Sequence, residues 1–172
     1  MESRNFTKAA ALLMGVVVLL LSAARTAGVD VLPCDGIGVG ATLPARLAHP
    51  FVHVSWLHAV VNVYVLWQLA FFFPLRMRHC LFAYSVACSC PSAVAMWDGG
   101  MSAIPDACAV GLSGMEYVLM GWVMPCVPSP KRFNFQLLLW TAASVLSGGV
   151  AVGLHLYCYL WGVSAAMLFR RR

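Results

Sequence analysis

The sequence predicts an all-α, polytopic membrane protein: six transmembrane helices in one bundle, with both termini in the cytoplasm. Three observations carry that expectation. Of 172 residues, 62% are apolar and 10% are charged, against roughly 25% charged in an ordinary soluble domain. So short a chain has too much surface per volume to hide that share of apolar side chain from water as a monomer. Six apolar stretches follow one another, and the basic residues gather on alternate connections between them. A soluble enzyme, a nucleic-acid-binding module and a disordered chain are excluded on these grounds. The net charge of +5 is explained by where the charges lie.

The spans are read at about 9–24, 54–73, 81–97, 109–127, 133–146 and 150–169, in a single membrane domain covering 1–172. A helix needs about 20 residues to cross the hydrocarbon core. The shorter stretches therefore imply tilted neighbours, local thinning of the bilayer or helices that stop below the surface. The first stretch has a rival reading. Arg4 and Lys8 precede an apolar core, and Ala23–Ala24 could precede a cleavage site, which is the layout of a signal peptide. An uncleaved first span fits the remaining topology at least as well. The loop at 25–49 is broken by Gly28, Pro33, Gly36, Gly38, Gly40 and Pro44, yet is apolar enough to lie on the membrane surface.

Orientation follows from the basic residues. Arg4, Lys8, Arg76, Arg78, Lys131, Arg132 and Arg170 to Arg172 fall on one side, nine of the eleven Lys and Arg. The other side has Arg25 and Arg46, with Asp30, Asp35, Asp98 and Asp106. The positive-inside rule makes the first side cytoplasmic. The C-terminal arginines then anchor at lipid headgroups. The expected setting is an integral, multi-pass protein, in the inner membrane if the source is bacterial. Its partners are the lipid bilayer and no nucleic acid.

Seven cysteines at irregular spacing form no disulfide framework. Cys88 and Cys90 stand two apart and would not share a helix face, so neither a metal nor another cofactor is implied. Cys34 and Cys108 both fall on the outer side, where a disulfide between them is open.

Polar groups inside a membrane are costly, so each is a candidate functional group. His58 and Asn62 are four apart and share one face of the second span, as do His49 and His53. Ser113 and Tyr117 share a face of the fourth. His155, Cys158 and Gly162 share a face of the sixth. Taken singly, Ser113 would bond its own backbone or a neighbouring helix, and His49 and His53 read as packing residues. Taken together, a serine flanked by Gly111 and Gly114 at the outer end of one span, with a histidine on another, suits an activated nucleophile. Glycines let the helices approach closely enough for a Ser–His hydrogen bond between them.

These residues resemble the rhomboid intramembrane serine proteases, most closely the bacterial six-span members. His49-x3-His53-x4-His58-x3-Asn62 is similar to the family's second-span pattern. Gly111-Leu112-Ser113-Gly114-x2-Tyr117-x3-Gly121 is similar to its nucleophile motif, and His155 followed by Gly162 to its last-span motif. The resemblance covers about 45–169. It implies a rhomboid-like bundle and a Ser113–His155 dyad with no third acid, Ser113 the nucleophile and His155 the general base and acid. It also implies an oxyanion hole of the Ser113 N–H, Asn62 and His58, with Tyr117 packed on the His155 ring and Gly111, Gly114, Cys158 and Gly162 in support. The substrate would be a transmembrane protein entering between spans two and five, where Phe135 and Trp140 could form a gate.

Three departures from the family stand out. Its first-loop Trp-Arg pair is absent, and Pro44-Ala45-Arg46 occupies that region. Cys158 replaces a glycine, adding bulk between spans four and six. Glu116 lies within a span, which predicts that it faces protein or a cavity. Two alternatives remain beside a working protease. One is a rhombosortase-type enzyme trimming C-terminal membrane anchors; the other is a catalytically silent rhomboid-like protein that binds membrane clients. A transporter fits poorly, since no inverted repeat is visible.

Overall fold

Apolar runs without intrahelical partners for their backbone must coil in lipid, because only a helix satisfies its own N–H and C=O groups there. A computed structural model of the chain describes residues 4–29, 31–32, 36–38, 41–91, 93–94, 109–146 and 151–169, of which 143–146 are described by backbone alone. Seven α-helices and no strand occur among them. They are α1 (Arg4–Thr26), α2 (Leu43–Ala48), α3 (Trp56–Phe72), α4 (Met77–Cys88), α5 (Ser113–Val123), α6 (Pro130–Leu146) and α7 (Val152–Phe169).

Helices α1 and α7 are each long and apolar enough to cross a bilayer. The bent pair Leu43–Phe51 and Trp56–Phe72, with 79° between its halves, makes a third if it is one span. Six uninterrupted spans are therefore not what the described residues contain. The apolar runs at 81–97 and 109–127 are divided. Helix α4 begins at Met77 and ends at Cys88, just before Ser89, Cys90 and Pro91. Helix α5 has 11 residues and gives way at Met124–Cys126 to a 3₁₀ turn containing Pro125. Eleven residues rise about 16 Å, roughly half a hydrocarbon core. Nearly every side of α5 is buried, including Met115, Tyr117, Val118, Leu119 and Val123. A helix apolar all round is one enclosed by others, so its length is set by its neighbours and not by the bilayer. The end of the predicted third span, 95–97, and the connection at 98–108 lie outside the described residues, as do Cys34, Cys108 and the arginines at 170–172.

Helix α1 buries one stripe, Thr7, Ala11, Gly15, Val18 and Ser22, and leaves Leu13, Val16 and Leu20 outward. That stripe lies on α3. A Cβ at Gly15 would meet the Trp67 indole at 2.6 Å, and Trp67 Nε1 donates to the Ala11 carbonyl at 3.0 Å. Ser55 caps α3 by accepting from the His58 N–H at 3.2 Å, and the helix stops before Pro74, which cannot supply a ladder donor.

Helices α5 and α7 make the most extensive contact in the bundle. It is built on glycine. A Cβ on Gly162 would run into the Val118 carbonyl, and one on Gly121 into the Tyr159 carbonyl. Backbone therefore packs on backbone, the arrangement that small residues permit in membrane helices.

Candidate active site

The α5–α7 contact sets the distance between the two polar stripes read from the sequence. Ser113 is the first residue of α5, and His155 lies in the first turn of α7. Their side chains meet: His155 Nε2 is 2.8 Å from Ser113 Oγ. Ser113 is partly exposed and His155 is buried. The other ring nitrogen, Nδ1, has no hydrogen-bond partner among the described residues. With Nε2 accepting from the serine, Nδ1 carries the proton, and no described carboxylate fixes that tautomer. The ring is held by stacking instead. Tyr117, one turn along α5, lies parallel to it within 5°, with centroids 4.1 Å apart.

Cys158 does not wedge the two helices apart. It is fully buried, and its Sγ sits 3.6 Å from where a Gly114 Cβ would be. The glycine on one helix makes room for the thiol on the other.

The entry to α5 is shaped by Gly111, whose φ of +112° lies in the region that L side chains rarely adopt. A Cβ there would be 3.0 Å from Asn62 Nδ2 and 3.0 Å from His58 Cε1. The two side chains expected to bind an oxyanion thus converge from α3 on the turn just before Ser113. The turn itself is fastened at three points. Gly111 N–H donates to the His49 carbonyl at 2.8 Å, Leu112 N–H to His53 Nε2 at 3.3 Å, and Ala109 pairs with Ile37 in an isolated antiparallel bridge.

His53 is more than a packing residue. Its Nε2 must be unprotonated to accept from Leu112 N–H, so at the 3.1 Å contact with Asn62 Nδ2 the amide is the donor. One amide hydrogen is committed to His53 and the other is left for a ligand. His53 thereby orients Asn62 and the nucleophile turn at once. No helical spacing announces this, because His53 lies in the loop before α3 and acts across nine residues. This hydrogen bonding requires a neutral His53 ring.

The loop around Pro44-Ala45-Arg46 is docked by hydrogen bonds. Arg46 Nη1 donates to the Cys90 carbonyl at 2.7 Å, and Tyr84 Oη to the Leu47 carbonyl at 2.8 Å. His49 Nδ1 is 2.7 Å from the Arg46 carbonyl. Glu116 is buried within the protein, its Oε1 without a partner. Phe135 and Trp140 both point outward from α6, each more than half exposed.

Chemically, a serine hydroxyl on an unprotonated imidazole nitrogen can attack an acyl carbon. Amide donors beside it can hold the negative oxygen that results. In comparison with known proteins, no family model and no curated protein matches the chain.

Proposed function

We propose that the chain is an intramembrane serine endopeptidase of the rhomboid type, cutting transmembrane segments with a Ser113–His155 dyad. The observation that carries this reading is the 2.8 Å Ser113–His155 hydrogen bond, made at the mouth of the turn on which Asn62 and His58 converge. His155 Nε2 takes the Ser113 proton as Oγ attacks the scissile carbonyl. The Ser113 N–H, the free hydrogen of Asn62 and the His58 imidazole hold the oxyanion. His155 then gives its proton to the leaving amine, and water, activated by the same nitrogen, hydrolyses the acyl-enzyme. With the basic residues on the cytoplasmic side, as the sequence leads one to expect, Ser113 would lie near the outer leaflet. There its partial exposure gives water a route to the dyad.

A fluorophosphonate probe on purified protein in detergent micelles tests the reading. Wild-type protein takes the label on Ser113. Ser113→Ala does not, and His155→Ala slows labelling by at least about a thousandfold, as expected when one member of a catalytic unit is lost. Label retained by Ser113→Ala, or a wild type that takes none, would remove the protease assignment.

A further inference from the structure

Helix α6 is attached to the bundle along one narrow stripe. From 131 to 142, Phe133, Leu137 and Thr141 are partly covered, one per turn, and the residues around them are exposed. Its principal neighbour is the 3₁₀ turn Met124–Cys126, close to its own start. Side-chain hydrogen bonds reach it from the bundle at Asn134 and at Thr141. Tyr159 Oη on α7 donates to Asn134 Oδ1 at 2.6 Å, and Tyr117 Oη on α5 meets Thr141 Oγ1.

The direction of the second bond can be settled. The Thr141 hydroxyl spends its one proton on the Leu137 carbonyl at 2.9 Å. Tyr117 is therefore the donor and Thr141 the acceptor. The same Tyr117 ring is stacked on His155. The phenolic O–H prefers the plane of its ring, so donating to a fixed acceptor holds the ring's tip and turns its plane, and the imidazole stacks on that plane.

We propose that Thr141 is a positioning residue for the dyad: by accepting from Tyr117 it holds the ring that orients His155, so the dyad is held in register while α6 is seated. An outward swing of α6, the helix beside which a substrate would enter, breaks this bond and loosens the imidazole. Reseating of α6 restores it, so turnover follows closure behind the substrate. This rests on the protease reading above.

The test is the rate of fluorophosphonate labelling of Ser113, resolved into a maximal rate and a half-saturating concentration. Thr141→Val keeps the shape and removes the acceptor. Its maximal rate falls about tenfold, the worth of one neutral hydrogen bond, with the half-saturating concentration moved less than about twofold. Thr141→Ser restores the rate. Tyr117→Phe slows labelling by a similar factor, and the double variant Tyr117→Phe/Thr141→Val is no slower than either single one. Asn134→Leu, which loosens α6 without touching Tyr117, slows labelling in the same sense as Thr141→Val but by less, because Thr141 is seated for a smaller share of the time. An unchanged rate in Thr141→Val overturns the proposal. So does a Thr141→Ser variant as slow as the valine, or additive losses in the double variant. A wild type that takes no label overturns the protease reading and the proposal with it. A labelled wild type whose rate ignores Thr141 overturns the proposal alone.

Discussion

Helices α5 and α7 are joined differently from α6 and the rest of the bundle. The first pair meets peptide to peptide at Gly121 and Gly162, where not even a methyl group fits. Over 131–142, helix α6 is partly covered at Phe133, Leu137 and Thr141 and takes tyrosine hydrogen bonds at Asn134 and Thr141. Between helices in lipid there is no hydrophobic force to gain, so closeness of packing and hydrogen bonds decide what is held and how firmly. The proposed nucleophile and base stand on the closely packed pair. The helix beside the proposed entry route is held along a narrow stripe among its described side chains. Precision and access are thus assigned to different joints of one small protein.

That contrast can be broken most sharply at Gly162. Gly162→Val drives a side chain into the Val118 carbonyl, and the helices must part. We expect a loss of about 3 kcal/mol or more, read as a lower midpoint in thermal unfolding and no Ser113 labelling. Leu139→Ala, on the exposed face of α6, should stay within about 0.5 kcal/mol of wild type. Equal losses at the two positions would erase the distinction. Next in size is Gly111→Ala. It forces an alanine to a φ of +112° and against Asn62 and His58. The fold should survive, since the site of change is a single turn. Labelling should slow about a hundredfold, the usual cost of disabling an oxyanion donor.

A smaller effect is expected at His53. In His53→Leu, Asn62 Nδ2 and Leu112 N–H lose their common acceptor. Labelling should slow by about tenfold to a hundredfold, for two buried donors left unmet.

The two catalytic candidates could be picked out from the sequence because each belongs to a polar stripe at helical spacing in an apolar run. Ser113 has Tyr117 four residues on, and His155 has Cys158 and Gly162. Membrane burial makes such stripes conspicuous. The role of His53 was not visible, because its partners Asn62 and Leu112 reach it through a loop and a second helix. Thr141 and Asn134 were not visible either: a lone polar residue in an apolar helix looks alike whether it bonds its own backbone or a neighbour. The apolar runs marked helical segments, and in two of them the described α-helix does not fill the run. Pro91, Gly111 and Pro125 break the runs, but hydropathy averages over single residues. A helix enclosed by protein, like α5, need not be as long as the bilayer is thick.

One aromatic ring offers a further use. The indole of Trp67 is pinned between the Ala11 carbonyl and the bare backbone of Gly15, so its emission depends on whether the first helix is in place. With the other five tryptophans replaced by phenylalanine, the protein would carry its own optical gauge of assembly. The arrival of its N-terminal segment could then be timed during insertion without any attached dye.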